Sequence, residues 1–166
     1  MSTFLERLRQ RVNDRGLMAS LRCALVDSKK HRAWPALNRI GVSITNETES
    51  LVAGLFATHP EETNTGNFGT TCKAIEAARG ESPGNNDKLT PTERRFQHLL
   101  AAEWGDELFQ RIIRMIFMAK SQGVRVNYEQ LSTDLRQFRQ WGDQIRTRWA
   151  AAYWAQDSAP IAEEDV

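Results

Sequence analysis

The sequence predicts an all-α protein: a compact bundle of about eight helices, or two abutting sub-bundles. Apolar residues recur at spacings of three and four through most of the chain, and helix-capping residues and turn formers separate these stretches. The only β-leaning stretch, Ile40 to Ile44, is too short to found a sheet. We expect one helical domain over residues 1–155, with a sub-bundle boundary at the 80–88 loop, and an acidic, disordered tail at 156–166.

Five helices are predicted in the first half of the chain, in an order set by caps and breaks. Pro35 is tolerated in the first turn of the third helix, and Thr45 or Asn46 can cap the fourth. The stretch GESPGNNDK at 80–88 holds turn formers and nothing apolar, so it breaks the chain most clearly. The predicted ranges are 2–13, 16–27, 34–40, 47–58 and 71–79.

The second half shows stronger helical periodicity. Thr90, followed by Pro91 and by Glu93 three residues on, forms a capping box, and Gly123 ends the second helix of this half. The apolar stripes consist of Phe96, Leu99, Leu100 and Trp104; of Leu108, Ile112, Met115 and Ile116, widened by Phe109, Ile113 and Phe117; of Tyr128, Leu131, Leu135 and Phe138; and of Trp141, Ile145, Trp149 and Tyr153. Within these stripes we expect Trp141 and Trp149 in the core.

Three tryptophans lie outside a clear stripe or at its end. Trp34, Trp104 and Trp154 could pack in the core, anchor a partner protein or stack on bases. Core or half-buried packing is the commoner role of tryptophan, and the other two roles stay open.

Residues that could carry out catalysis are sparse. His31, His59 and His98 have no partner at metal-ligand spacing, and Cys23 and Cys72 are isolated, which favours two inert thiols in a reducing compartment. We therefore expect no cofactor, no metal and no enzymatic activity. A small helical hydrolase using His59 with Glu61 or Glu62 is a weakly supported alternative.

Nothing in the sequence points to a membrane. No segment approaches the roughly 18 uncharged apolar residues of a membrane-spanning helix. The first residues, MSTFLERLRQR, carry charges where a signal peptide needs an apolar stretch. We expect a cytoplasmic protein.

The net charge of +1 conceals a strong segregation of charge along the chain. Residues 1–46 hold nine Lys/Arg against three Asp/Glu, whereas residues 47–93 hold three against eight. Residues 94–154 hold ten against six, and the tail from 155 adds four acids and no base. A basic face can therefore form wherever the first and third blocks lie side by side.

Arginines run along the edges of the predicted C-terminal helices. The pairs Arg111/Arg114 and Arg136/Arg139 are spaced three apart beside apolar stripes, and residues 94–154 contain nine Arg but one Lys. Arginine suits phosphate oxygens and stacks on bases, so this bias favours nucleic-acid binding. The alternative is a solvated face with ion pairs such as Glu107–Arg111. A second basic cluster comprises Lys29, Lys30 and Arg32, which could also serve only to stabilise a helix end.

The order of these motifs resembles the CasB family, the small subunit of the type I-E CRISPR surveillance complex, Cascade. The C-terminal part carries the resemblance in ERRFQHLL at 93–100, QRIIRMI at 110–116, VNYEQLSTDLRQF at 126–138 and RTRWAAAYW at 146–154. Weaker similarities are GLMASLRCAL at 16–25 and NFGTTCKAI at 67–75. The resemblance covers most of residues 16–154.

The resemblance implies a non-catalytic subunit. Two copies would associate head to tail along the backbone subunits and beside the large subunit, contacting the guide RNA–target DNA duplex and holding the displaced non-target strand. By position, the family's basic residues fall on Arg22, Arg95, Arg111, Arg114 and Arg146. Cys23 replaces a frequent second arginine, and Trp104 lies in a stretch that is often more basic. A protein-interaction adaptor without nucleic-acid contact is the alternative.

Overall fold

The computed structural model describes residues 3–82 and 88–155, and across them the protein is all-α, as predicted. The only β-type pairing in these two ranges is an isolated parallel bridge between Glu62 and Val126. The helices are α1 (Phe4–Gln10), α2 (Arg15–Arg22), α3 (Trp34–Arg39), α4 (Glu47–Thr58), α5 (Phe68–Ala78), α6 (Pro91–Ala101), α7 (Asp106–Gln122) and α8 (Tyr128–Tyr153).

Helix boundaries depart from the prediction where 3₁₀ segments replace α-helix and where the capping residue lies earlier in the chain than expected. The helix predicted at 16–27 ends at Arg22, and two 3₁₀ segments follow, at residues 23–25 and Asp27–Ala33. α5 begins three residues before Thr71 because Asn67 caps it by accepting the N–H of Thr70. Most of the predicted 80–88 boundary, and all of the 156–166 tail, lie outside the described residues.

Side-chain caps start six of the eight helices in the described chain. In each case the capping oxygen accepts the N–H of the third helical residue, a contact typically worth about 1 kcal/mol. Thr90 and Glu93 form the predicted capping box, and Gly123 ends α7 in the left-handed conformation at φ 69°. The caps are Thr3, Asp14, Asn46, Asn67, Thr90 and Asn127.

Helix α4 runs through the interior. Its residues from Leu51 to Thr58 are all buried, because α1, α2, α7 and α8 pack around it. α5 contacts α6, α7 and α8, so α7 and α8 pack against both α4 and α5. Among the residues that the structure describes, one cluster of buried apolar side chains extends from Phe4 to Tyr153.

The crossing of α5 and α8 depends on a glycine. Gly69 lies against the backbone of Trp149 so closely that a Cβ at residue 69 would overlap the Trp149 carbonyl group. The Phe68 and Trp149 rings pack beside it with centroids 5.3 Å apart.

Helix α8 is sharply bent at Trp141, whose backbone has non-helical angles of φ −121° and ψ 31°. The Phe138 and Trp149 ring centroids are 5.7 Å apart, although 11 residues of straight helix would span about 16 Å. The legs 128–140 and 142–153 therefore fold towards each other. Placing Trp141 in the core was wrong: it is 45% exposed at the bend, while Trp149 is buried as expected.

Two other aromatic residues also depart from their predicted stripes. Trp104 lies beyond the end of α6, half-buried between Phe109 and Phe138, with ring centroids 5.2 and 5.7 Å away. Phe117 is exposed rather than packed beside the α7 core face. The Trp104 contacts hold the α6–α7 connection against the middle of α8.

Candidate nucleic-acid interface

The α7 arginines flank a buried face formed by Leu108, Ile112 and Met115. Arg111 is half-buried, with its Nε 4.0 Å from Glu107 Oε2, at the limit of an ion pair. Arg114 is exposed and has no hydrogen bond or ion pair within the described chain. Glu107 thus interacts weakly with one arginine of the pair and leaves the other unneutralised.

The first leg of α8 presents two exposed arginines. Arg136 donates to the Thr133 hydroxyl at 3.3 Å, and Arg139 has no hydrogen bond or ion pair to any described residue. Leu131, Leu135 and Phe138 on the same leg are buried. Both arginines are therefore carried by a helix that the core holds rigidly.

Arg146, on the second leg of α8, is held by the protein itself. Its Nη2 donates to the Ala102 carbonyl at 3.0 Å, and its guanidinium lies 4.8 Å from the centre of the Phe138 ring. Asp143 Oδ1 is 3.6 Å from Nη1. These contacts tie the end of α6 to both legs of α8, so Arg146 has a structural role in the free protein.

Arg22 is anchored in a comparable way. Its Nε donates to the Ala57 carbonyl at 3.0 Å, near the C-terminus of α4, where backbone carbonyls lack helical partners. The residue remains exposed, so the bond orients the guanidinium while its outer nitrogens stay accessible.

The remaining candidates are exposed and unpaired within the described residues. Arg95 lies on α6, and Lys29, Lys30 and Arg32 lie on the 3₁₀ segment Asp27–Ala33, which packs against α2 and α3. The 3₁₀ segment that carries Lys29, Lys30 and Arg32 therefore lies against α2, the helix that carries Arg22.

Two N-terminal arginines are used internally, which sequence reasoning did not anticipate. Arg9 binds Glu62 through two nitrogens, at 2.8 and 2.9 Å, and Glu129 at 2.9 Å. The hydrogen bonds that Arg9 donates to the Glu62 carboxylate raise the pKa of Arg9 above its usual value. Arg7 donates to the Ile40 carbonyl at 2.7 Å. The basic excess of the first block is thus smaller at the surface than the charge census suggests.

The structure gives no support to the hydrolase alternative. His59 is buried, and its Nε2 donates to the Val124 carbonyl at 2.6 Å. Glu62 is held by Arg9. Across residues 3–82 and 88–155, no three His, Cys, Asp or Glu side chains form a group that could hold a metal ion.

The cysteines differ in their environment. Cys72 is buried, which raises the pKa of its thiol, and Cys23 is partly buried; neither forms a disulfide.

None of the helices in the described residues is long and apolar enough to cross a lipid bilayer.

Solved structures share this fold. A CRISPR-associated protein of the Cse2 family from Thermus thermophilus is 19% identical, with a TM-score of 0.71 over 92% of this chain and 94% of that one. A second structure, of CasB from Thermus thermophilus, gives 19% identity and a TM-score of 0.70 over the same shares. CasB from M. ruber is 22% identical, with a TM-score of 0.68 over 98% of this chain and 94% of that one.

Sequence comparison gives the family directly. No curated protein is significantly similar to the chain in sequence. The family model described as CRISPR-associated protein Cse2 matches residues 17–154, which is most of the chain and includes every candidate arginine. The helical fold, the solved structures and this match agree, and the chain belongs to the Cse2 (CasB) family of type I-E Cascade.

Proposed function

We propose that this protein is a non-catalytic Cascade subunit that binds the backbones of the guide RNA and target DNA. It also holds the displaced non-target strand of the R-loop. The subunit works in the cytoplasm as a homodimer within the complex, beside the large subunit and the backbone subunits. It needs no cofactor, because its part is to stabilise strands rather than to react with them.

The observation that carries this proposal is a set of exposed arginines without carboxylate partners on rigid helices. Arg95, Arg114, Arg136 and Arg139 have no ion pair within the described chain, whereas Arg9 and Arg79 pair with glutamates. A face that merely keeps a helix soluble would be expected to mix its charges. Unneutralised arginines on fixed backbone instead suit phosphate oxygens, which attract them without sequence readout.

The ten candidates fall into three groups by their contacts. Arg22 and Arg146 each donate a hydrogen bond to a backbone carbonyl. This bond fixes the orientation of the guanidinium that a nucleic-acid strand would meet. Arg111 first has to leave Glu107. Direct phosphate contact is expected above all from the residues with no ion pair and no bond to a backbone carbonyl in the described chain, which are Lys29, Lys30, Arg32, Arg95, Arg114, Arg136 and Arg139; of these, Arg136 donates one hydrogen bond, to the Thr133 hydroxyl.

The test uses the double variant Arg114→Glu/Arg139→Glu in the reconstituted complex. We expect a shorter R-loop lifetime and, if each arginine contacts one phosphate, a salt slope of binding lowered by about two. Arg15→Glu/Arg39→Glu is the matched control, because both residues are exposed, unpaired in the described chain and outside the candidate set. Equal R-loop lifetimes in the two double variants would contradict the proposal.

A simpler assay addresses the adaptor alternative. Gel shifts of the isolated protein with single-stranded DNA at rising salt should show weak binding that salt abolishes. An adaptor without nucleic-acid contact would give no shift at any salt concentration.

A further inference from the structure

A cleft with a volume of about 370 Å³ opens on the surface, and none of the residues that line it belongs to α8. It lies between the 3₁₀ segment Asp27–Ala33, α3, the beginning of α4 and the beginning of α7. Its floor is apolar and is formed by Leu25, Leu37, Leu51, Phe109 and Ile113. We call it the α3–α7 cleft.

Exposed apolar side chains are concentrated around this cleft. Trp34 and Ile44 line it, although they are 42% and 48% exposed. Val26, at 44%, lies between two lining residues in the chain, and Phe117, at 50%, follows the lining residue Ile113 by one helical turn. Six large hydrophobic side chains are exposed in the described residues, and these are four of them. Trp34 and Ile44 thus leave apolar surface exposed beside an apolar floor, as is typical of an interaction site.

The polar residues of the cleft argue against nucleic acid as its occupant. Among the lining residues that the structure describes, Asp27, Glu47 and Asp106 are acidic, and one is cationic, Lys30, which is also among the candidate phosphate contacts. Three carboxylates around an apolar floor repel a phosphate backbone and attract lysine or arginine. The Ser50 hydroxyl, which also lines the cleft, is buried without a hydrogen-bond partner in the described chain.

We propose that the α3–α7 cleft docks a segment of another protein subunit of the surveillance complex. This segment inserts an apolar side chain between Trp34 and Ile44 and places a lysine or arginine against Asp27, Glu47 or Asp106. The choice of partner rests on the proposed role as a Cascade subunit. A symmetric contact between two copies through this face is unfavourable, because it would oppose the same three carboxylates to one another, and a head-to-tail contact with a second copy is the outcome that sedimentation tests below.

The test measures binding of the full-length protein to a subcomplex of guide RNA and the other subunits that lacks this one. Trp34→Ala/Ile44→Ser, which leaves charge unchanged, should weaken incorporation at least tenfold. Trp141→Ala is the control, because Trp141 is similarly exposed but lies outside the cleft. Asp27→Asn/Asp106→Asn should also weaken incorporation and should reduce its dependence on salt.

Three results would overturn the proposal. Incorporation of both cleft variants at the level of Trp141→Ala would show that the cleft has no role in docking. Loss of self-association by the isolated Trp34→Ala/Ile44→Ser variant in sedimentation would make a second copy the occupant. Weaker binding of single-stranded DNA by that variant would make it nucleic acid. The proposed function fails separately, because its arginine variants lie outside the cleft.

Discussion

Asp134 and Trp149 lie on opposite legs of α8 and are joined by a hydrogen bond of 2.8 Å from the indole N–H to Oδ2. In a straight helix, 15 residues would separate them by about 22 Å. Gln130 donates to the other carboxylate oxygen at 2.8 Å, and both Asp134 and Trp149 are buried. This bond connects the two legs of α8 inside the core.

We expect Asp134→Ala to lower the free energy of unfolding by about 1–3 kcal/mol, because it leaves the buried indole N–H without an acceptor. Urea denaturation followed by circular dichroism measures the change. Asp143→Ala on the same helix is the control, since Asp143 is exposed, and should stay within about 0.5 kcal/mol. Equal stability of the two variants would mean that the bond does not hold the bend.

Gly69→Ala should destabilise the protein by about 1–3 kcal/mol or more, because the new methyl group would force α5 away from the Trp149 backbone. Gly16→Ala is the opposite case. Gly16 lies in helix α2, and the nearest side-chain atom to a Cβ there would be Asp14 Oδ1 at 3.8 Å. The substitution should therefore stabilise the folded protein by about 0.5–1 kcal/mol. Thermal unfolding of both variants checks the pair, and a Gly69→Ala protein as stable as the wild type would contradict the close crossing.

Removing an anchored arginine should affect stability, whereas removing a free one should not. Arg146→Ala deletes the donor to Ala102 and the cation above Phe138, so we expect a loss of about 1–3 kcal/mol. Arg139→Ala should change the unfolding free energy by less than about 0.5 kcal/mol. Urea denaturation compares them, and equal losses would remove the distinction between anchored and free arginines.

Stability should fall as the pH rises above about 10. Burial raises the pKa of Tyr128 well above its ordinary value, and the Tyr128 hydroxyl donates to the carbonyls of Leu55 and His59. The folded state therefore holds this proton more tightly than the unfolded state, so its contribution is complete below the unfolded pKa and is lost above it. Burial raises the pKa of Cys72 in the same direction.

Urea denaturation between pH 8 and pH 11 measures this dependence. Tyr128→Phe should be less stable at pH 8, because two carbonyls lose their donor, and its stability should decline less steeply with pH. An unchanged pH profile in Tyr128→Phe would assign the alkaline loss to other groups.

Much of the secondary structure could be predicted because its signals act within a few residues. Thr90, Pro91 and Glu93 start α6, and Gly123 ends α7, through contacts that span four residues or fewer. The abundance of arginine in residues 94–154 was equally visible and predicted nucleic-acid binding, while the order of the motifs at 93–100, 110–116, 126–138 and 146–154 led to the correct family. Periodicity failed for Trp141, because a regular repeat cannot reveal a bend that depends on the contact between Phe138 and Trp149.

The sequence by itself determined the all-α class, the helix order and the arginine-rich character of this protein. Only the tertiary structure decided which arginines are free. Arg22 reaches a carbonyl 35 residues away and Arg146 one 44 residues away, and such distances leave no trace in local spacing. The α3–α7 cleft likewise exists because packing of the core places Trp34 and Ile44 beside the buried Ile113, which brings residues far apart in the sequence to one site and leaves the first two exposed.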